Sequence, residues 1–244
     1  MLSNIRGYDS KVLSFHNIIA NAKPKPNVIV LNETHFKGER KMHIPGYVAY
    51  NRNRVNKYMG GIATAIDNKE AAHALKVKEG EHDDEFLITR HGQFTTPINI
   101  CNVYGEQEGR TTKDDILQRW NRIMEEIIKI EAKDEYIVLI GDMNKHVGDV
   151  IEGNSDKITF GGQLIRDLLK TDKYLLVNGT KKVVGGPHTR YDPADPKSLE
   201  RRSCLGLVIV SKELSKHVEK LVIDKQLKMT PGRPVSKSKI IYTD

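Results

Sequence analysis

The chain has 244 residues, of which 38% are hydrophobic and 29% charged, and its formal net charge is +7. These values suit a soluble globular protein with a sizeable core. No apolar run approaches the roughly 20 residues needed to span a bilayer, and the N-terminus lacks the apolar segment of a secretion signal.

Two cysteines are too few for a disulfide framework or a cysteine-rich zinc site. Both lie in apolar stretches, so we expect buried, reduced thiols. The positive charge is common in proteins that handle phosphates.

In chain order, the first half of the sequence predicts one helix and six short strands. Asp9 or Ser10 can cap a helix over 11–22 that has one apolar face. A continuous apolar run at 28–31 predicts a buried strand, which ends in Asn32-Glu33-Thr34. The other predicted strands are 2–4, 47–50, 61–66, 85–89 and 98–104, the last two as an antiparallel pair.

The second half predicts two helices and the central strand. Thr112 can cap an amphipathic helix over 113–133 that buries Trp120. The run at 136–140 is rich in β-branched residues and is bounded by polar residues and Gly141, which is typical of a buried central strand. Further elements are a helix at 162–170, a helical turn at 212–220, and strands at 174–177, 205–210 and 221–224.

No repeat or break in composition marks a domain boundary, so we interpret 1–244 as a single domain. Strands alternate with helices and hairpins, which predicts a mixed, two-layered β core covered by helices. The basic segment 225–239 is interpreted as a loop that is either solvated or faces phosphates.

Several predicted strands end in polar side chains, namely Asn4, Glu33, Tyr104, Asp142 and Asn144. Ligands of α/β folds bind at such strand ends, and Asp142 and Asn144 project to the same side if the extended backbone persists. Carboxylates and amides are hard oxygen ligands that suit Mg²⁺ or Mn²⁺ better than zinc. Such an ion polarises a phosphate while a carboxylate activates water. Taken singly, each residue also has a plainer interpretation as a turn, a cap or part of the core.

Motifs of this kind follow one another along nearly the whole chain. They are Ser3-Asn4-Ile5-Arg6-Gly7, Leu31-Asn32-Glu33-Thr34, Gly60-Gly61-Ile62-Ala63, Asn102-Val103-Tyr104, Gly141-Asp142-Met143-Asn144, Ser203-Cys204-Leu205 and Tyr242-Thr243-Asp244. Their order resembles the endonuclease/exonuclease/phosphatase superfamily, which includes deoxyribonuclease I, abasic-site endonucleases and inositol polyphosphate 5-phosphatases. The Ser-Cys-Leu form is similar to the abasic-endonuclease-like endonuclease domains of non-LTR (LINE-type) retrotransposons.

The resemblance implies a deoxyribonuclease I-like, four-layer α/β sandwich, with two mixed β-sheets packed face to face and helices outside. It implies a hydrolase of phosphodiesters that depends on Mg²⁺ (or Mn²⁺). Glu33 would be the principal metal ligand, assisted by Asn4. Tyr104 would support the scissile phosphate, Asp142 would activate or orient the attacking water, and Asn144 would position it.

Two positions depart from the family's pattern. The penultimate motif of the family reads Ser-x-Leu/Ile-Asp, and Gly206 stands here at the Asp position. The last motif of the family closes with a His, and the sequence contains no His after Asp244, which by resemblance would be a further site carboxylate. In the family that Asp and that His form a hydrogen-bonded pair, so we expect impaired turnover. Only three residues precede Asn4, and we also expect a domain truncated at both ends, with one sheet weakened and its edge exposed.

The motifs are compatible with three functions. The first is a retrotransposon-type endonuclease that nicks DNA; the second is a catalytically dead nucleic-acid-binding module, which Gly206 and the missing His favour. The third is a phosphomonoesterase acting on a small phosphate or phosphoinositide.

The expected partner is DNA and not a membrane. We expect an intracellular monomer, nuclear when it acts on DNA, and the resemblance admits a former fusion to a reverse transcriptase.

Basic residues and histidines in polar segments have two interpretations each. Arginines and a lysine of the kind that border a DNA groove, or are simply solvated, are Arg54, Lys57, Arg190, Arg201 and Arg202, of which the last three are the candidate substrate contacts. Histidines that either contact a phosphate or lie at the surface are His35, His146 and His188.

Overall fold

The computed structural model describes residues 1–54, 60–80, 85–105, 107, 109–152, 156–186, 189, 204–224, 228–230, 233–234 and 237–242. The strands are β1 (Leu2–Asn4), β2 (Val28–Asn32), β3 (Tyr47–Arg52), β4 (Ile62–Asp67), β5 (Ala74–Glu79), β6 (Phe86–His91), β7 (Ile98–Val103), β8 (Tyr136–Asp142), β9 (Tyr174–Leu176), β10 (Val183–Val184), β11 (Gly206–Ser211), β12 (Val218–Asp224), β13 (Lys228–Thr230), β14 (Arg233–Pro234) and β15 (Lys237–Tyr242). The helices are α1 (Val12–Ala20), α2 (Lys113–Glu131) and α3 (Phe160–Lys170).

The strands form two large mixed sheets. One has the order β10-β12-β15-β1-β2-β4-β3 and the other β5-β6-β7-β8-β11-β9, and β13 and β14 form a small separate pair. The parallel pairs β1–β2 and β7–β8 lie in the interior of their sheets. Because the carboxyl ends of these strands carry Asn4, Asn32 and Asp142, the sheet topology places the predicted polar strand ends on the two central strand pairs.

Three apolar layers hold the sheets and helices together. The layer between the sheets contains Leu2 and Val30 from one sheet and Val138, Ile140 and Val208 from the other. A second layer packs α1 on the outer face of the first sheet, and a third packs α2 and α3 on the outer face of the second sheet. The architecture is therefore a four-layer α/β sandwich, and the predicted fold class is confirmed.

The helix predictions are mostly correct. Thr112 caps α2 by accepting a hydrogen bond from the backbone N–H of Asp115, and half-buried Trp120 packs against the core under this helix. The predicted cap of α1 is wrong, because a 3₁₀ turn over Asp9–Lys11 precedes the helix and the residue at its N-cap makes no side-chain cap hydrogen bond. The predicted helical turn at 212–220 is only a 3₁₀ turn at Leu214–His217, since β12 already begins at Val218.

Five of the described strands were not predicted, namely β5, β10, β13, β14 and β15. The edge strand β5 alternates lysines, of which Lys76 is exposed and Lys78 half-buried, with apolar residues, a pattern too polar to indicate a strand. The basic segment 225–239, interpreted as a loop, contains β13, β14 and the first three residues of β15, which pairs with both β1 and β12. β1 is hydrogen-bonded to β15 on one side and to β2 on the other, so it does not form a sheet edge, and the truncation at both ends stays a prediction.

Other expectations concern the cysteines and the membrane. Cys101 and Cys204 are buried thiols outside any disulfide bond, as predicted. Burial raises the pKa of Cys204 to about 12, so its thiol is protonated and unreactive. Within the described ranges, no helix combines the length and the apolar character that crossing a bilayer requires.

Candidate active site

Glu33 lies in a tight turn directly after β2. Its backbone φ is +56°, in the left-handed region, and that of His35 is +59°. The turn is held by the start of β4, because Thr34 N donates to Gly61 O at 3.0 Å and His35 N donates to Gly60 O at 2.8 Å. Both of these glycines have a positive φ, which explains why a glycine pair precedes this strand. The turn directs the Glu33 carboxylate back across the ends of the central strands.

A single amide group joins the two acidic strand ends. Asn4 Nδ2 donates to Glu33 Oε1 at 2.7 Å and to Asp142 Oδ2 at 2.6 Å. Asn4 and Asn32 are register partners in the parallel pair β1–β2, so Glu33 follows directly beside Asn4. The three predicted residues from β1, β2 and β8 therefore form one contiguous cluster, which bridges the two sheets.

Tyr104 joins the same cluster from the end of β7. Its hydroxyl donates to Glu33 Oε1 at 2.9 Å. Burial and the neighbouring Glu33 carboxylate raise the pKa of Tyr104 well above its ordinary value. The phenol is therefore neutral near physiological pH and can act as a hydrogen-bond donor.

Asp142 carries a carboxylate in an unfavourable position for a negative charge. Burial raises its pKa, and the charge of Glu33 raises it further, while the hydrogen bond from Asn4 acts in the opposite direction. Arg6, which is exposed, also lowers this pKa by its positive charge. The balance keeps Asp142 easier to protonate than a surface aspartate.

Some acceptor atoms of the cluster receive no hydrogen bond from the described residues. Asn4 Oδ1 and Asp142 Oδ1 are buried and have no hydrogen-bond partner among the described residues. The carboxylates of Glu33 and Asp142 and the amide oxygen of Asn4 form a hard, negatively charged donor set, which fits a divalent cation such as Mg²⁺ or Mn²⁺. Across the described ranges, no three His, Cys, Asp or Glu side chains come together as a metal-binding group, so any cation here relies on amide oxygen and water as well.

Asn144 does not follow an extended strand. β8 ends at Asp142, and Asn144 has a φ of +51°, so the two side chains are not related by strand alternation. Asn144 Nδ2 donates to Gly105 O at 2.7 Å and thereby ties the segment after β8 to the end of β7. Where β7 and β8 approach each other, a Cβ on Gly141 would stand 1.7 Å from the Val103 carbonyl oxygen, so only glycine fits there.

Gly206 stands directly opposite Asp142 in the antiparallel pair β8–β11. Residues directly opposite each other in a sheet share a face, so a side chain at 206 would project beside Asp142. A Cβ there would meet Leu2 and Thr189 at 3.6 Å, which is ordinary van der Waals contact. The backbone N–H groups of Leu205 and Gly206 both donate to Thr189 Oγ1, at 2.8 and 2.9 Å. The position thus has room for a Cβ atom, which the glycine in this sequence does not supply.

The pattern of motifs did not reveal two buried amides beneath the cluster. Asn32 and Asn102 are both 0% exposed, and Asn32 Nδ2 donates to Asn102 Oδ1 at 2.8 Å across the two sheets. Asn32 Oδ1 accepts from the backbone N–H of Asp142 at 2.8 Å. The available signal was an Asn near the end of each of two apolar strands, because a buried amide requires partners.

The predicted basic residues and histidines lie in different environments. Arg54 is buried and ion-paired with Glu85 at 2.5 Å, so its interpretation as a solvated or DNA-facing residue is wrong. His35 lies beside Glu33, with its Nε2 3.6 Å from Glu33 Oε2. Burial lowers the pKa of His35 more than the nearby Glu33 raises it. Predicted residues that lie outside the described ranges are Lys57, His188, Arg190, Arg201, Arg202 and Asp244.

Comparison with known proteins gives matches by structure alone. Neither a protein-family model nor a curated protein matches this sequence. The catalytic domain of Xenopus laevis APE2 superimposes with a TM-score of 0.74 and 14% identity, covering 100% of this chain and 93% of that chain. The 3′ phosphatase NExo from Neisseria, solved with a product DNA hairpin, gives a TM-score of 0.71 and 14% identity over 99% of this chain and 98% of that chain.

A retrotransposon protein is also similar. The endonuclease domain of TRAS1, a telomere-specific non-LTR retrotransposon, superimposes with a TM-score of 0.65 and 13% identity, covering 98% of this chain and 95% of that chain. At these identities the likeness is one of fold. The chain has the deoxyribonuclease I-like fold shared by AP endonucleases and related nucleases, the fold of the endonuclease/exonuclease/phosphatase superfamily that its motif order resembles.

Proposed function

We propose that this chain is a divalent-cation-dependent phosphodiester hydrolase that nicks DNA, of the retrotransposon endonuclease type, with turnover limited at Gly206. One observation carries the proposal: Asn4, Glu33, Tyr104 and Asp142, from four strands of two sheets, converge through hydrogen bonds of 2.6 to 2.9 Å. Chance does not readily bring these residues together at strand ends that the motif order had already singled out.

Glu33 and Asn4 would hold the cation. When bound, Mg²⁺ or Mn²⁺ supplies positive charge that polarises a phosphate oxygen and stabilises the leaving oxygen. Glu33 Oε1 already accepts from Asn4 and Tyr104, so its orientation is fixed before any ligand arrives. This preorganisation reduces the cost of arranging the site when substrate binds.

Asp142 is the proposed base. Its Oδ2 is held by Asn4, and its Oδ1 has no partner among the described residues and can accept a proton from an attacking water. The pKa of Asp142 is raised in the direction of neutral pH. A general base is most effective when its pKa lies near the working pH. The neutral hydroxyl of Tyr104 is a donor that can support a non-bridging phosphate oxygen, and Asn144 keeps the two adjacent strand ends together.

DNA is proposed as the substrate on electrostatic grounds and on the Ser-Cys-Leu resemblance. The formal net charge of +7 favours a polyanion. Arg6 lies exposed at the cluster, and Lys11 holds the same loop by donating to Ile5 O and Arg6 O. A small phosphate ester remains the alternative that the substrate comparison below distinguishes.

A nucleic-acid-binding module without turnover is the second candidate function. The absence of a side chain at Gly206, directly across from Asp142, favours it. A pair of groups that acts as a unit loses orders of magnitude in rate when one member is missing. Binding through basic residues does not depend on that position.

The decisive experiment is nicking of a supercoiled plasmid with Mg²⁺, with and without a chelator. We expect slow, chelator-sensitive nicking that Glu33→Gln and Asp142→Asn abolish. Asp149→Asn is the matched control, because this exposed carboxylate is paired with Arg166 at the surface. Salt-sensitive DNA binding without any nicking would establish the binding module instead. Hydrolysis of a soluble inositol phosphate but not of DNA would overturn both proposals.

A further inference from the structure

The two oxygens of Glu33 face different partners. Oε1 accepts from Asn4 and from the Tyr104 hydroxyl. Oε2 faces the imidazole of His35, whose Nε2 lies 3.6 Å away. The carboxylate thus connects the candidate catalytic cluster on one side with a ring nitrogen on the other.

Within the described residues, the ring nitrogen Nε2 lacks a hydrogen-bond partner. His35 Nε2 is buried and makes no hydrogen bond to any residue in the described part of the chain. A separation of 3.6 Å from Glu33 Oε2 is too long for a hydrogen bond. Two ligand atoms about 2.1 Å from one ion lie roughly 3.0 to 3.4 Å apart at octahedral or tetrahedral angles. The observed separation of 3.6 Å between His35 Nε2 and Glu33 Oε2 is only slightly longer than the distance between two ligand atoms of one cation.

The backbone fixes where the ring stands. His35 has a φ of +59°, and its N–H donates to Gly60 O at 2.8 Å. On the opposite side the ring packs over Gly7, where an added Cβ would lie 3.2 Å from Nδ1. With Nδ1 against Gly7, Nε2 is the nitrogen presented to Glu33.

The surrounding charges allow a cation at this place. Lys11 and Arg54 are the positive side chains that act on the ring. Lys11 is turned to the Ile5 and Arg6 carbonyls, and Arg54 is neutralised by Glu85 at 2.5 Å. On the far side of Glu33, Asp142 adds a second negative charge that acts on the Glu33 site.

We propose that His35 Nε2 is a ligand of the divalent cation held by Glu33, and that this nitrogen makes the site prefer Mn²⁺ to Mg²⁺. The inference rests on the proposed function, which places a cation at Glu33. Mg²⁺ demands oxygen ligands, whereas Mn²⁺ accepts imidazole as well. A nitrogen ligand therefore selects between two ions that carboxylates alone bind similarly.

The test uses Mn²⁺ itself as the probe. Pulsed electron paramagnetic resonance of Mn²⁺ bound to the full chain should show ¹⁴N coupling from a histidine nitrogen. His35→Asn should abolish that coupling, because asparagine tolerates a left-handed φ but has no ring nitrogen. Calorimetric titration should show Mn²⁺ binding about tenfold tighter than Mg²⁺, with the preference lost in His35→Asn. His73→Asn, at an exposed histidine, is the matched control and should change neither result.

The outcomes separate this inference from the proposed function. Mn²⁺ binding that Glu33→Gln removes, but that shows no histidine coupling, would overturn the role of His35 and leave the proposed hydrolase intact. The same holds if His35→Asn keeps the Mn²⁺ preference, or weakens DNA binding in chelator without changing metal binding, since His35 would then be a phosphate contact. No Glu33-dependent metal binding at all would overturn both.

Discussion

Asn32 and Asn102 hydrogen-bond to each other between the two sheets, with Asn32 Nδ2 2.8 Å from Asn102 Oδ1. Asn102 Nδ2 in turn donates to Ala63 O at 2.9 Å and Leu31 O at 3.3 Å. Asn32 Oδ1 receives the backbone N–H of Asp142. The pair connects β2 and β4 of one sheet with β7 and β8 of the other, one residue before Glu33 and two before Tyr104. It therefore sets the register in which the two halves of the candidate site meet.

Asn102→Ala should destabilise the fold strongly. The substitution leaves the Asn32 amide and the Ala63 carbonyl without their partner in a fully buried layer. Each buried group left unsatisfied costs roughly 1–3 kcal/mol, so we expect a loss of about 3 kcal/mol in the free energy of unfolding. Urea denaturation followed by circular dichroism measures it.

The control for this prediction is Asn68→Ala at an exposed turn, which should change stability by less than about 0.5 kcal/mol. The double variant Asn32→Leu/Asn102→Leu should cost less than the two single changes together, because both partners are removed at once. Strict additivity would show that the amides do not act as a pair.

Gly206→Asp should raise nicking activity, most clearly when a histidine is appended after Asp244. The new carboxylate would project beside Asp142 into space that accepts a Cβ at 3.6 Å from Leu2 and Thr189. In units of this kind a missing partner costs orders of magnitude, so we expect a gain of at least about tenfold in the plasmid assay. Gly206→Ala is the control and should fold normally without any gain. Equal activity of the Asp and Ala variants would show that the position does not limit turnover.

Much of the fold follows from the sequence because its signals are local. The amphipathic pattern and Thr112 predicted α2, and an apolar β-branched run predicted β8. β5 and β15 were not predicted, because these strands are stabilised by pairing with neighbouring strands in space and not by an apolar sequence pattern. An edge strand rich in lysine looks like a loop until its partner β6 is known.

The site was predicted in part for the same reason. Asn4, Glu33, Tyr104 and Asp142 could be named because each ends a buried strand, and the motif order added their grouping. The bridging role of the Asn4 amide, the Asn32–Asn102 pair and the position of His35 beside Glu33 depend on sheet register and on a left-handed turn. Neither register nor that turn is encoded in the identity of any single residue.

Gly141→Ala should prevent normal folding. A Cβ at this position would stand 1.7 Å from the Val103 carbonyl oxygen, and this contact is with backbone that cannot rotate away. β7 and β8 would have to separate at the end that carries Tyr104 and Asp142, so we expect a loss of about 3 kcal/mol or more, or insoluble protein. Gly206→Ala, on the strand paired with β8, is the matched control. Similar thermal unfolding of the two variants would contradict the close approach.

The buried imidazole of His91 should make the fold sensitive to mild acid. His91 is 2% exposed, its Nε2 lies 3.1 Å from Thr89 Oγ1, and burial lowers its pKa to about 4. The unfolded chain binds this proton near pH 6.5 and the folded chain only near pH 4. The contribution of neutral, buried His91 to the free energy of unfolding is therefore complete above pH 6.5 and falls as pH is lowered towards 4, by about 3 kcal/mol in total.

Urea unfolding at pH 7, 6 and 5, compared between the unaltered chain and His91→Gln, should give a shallower pH dependence of the free energy of unfolding for the variant. His73→Gln, at an exposed site, should follow the unaltered chain, and equal slopes for all three proteins would show that another group carries the acid sensitivity.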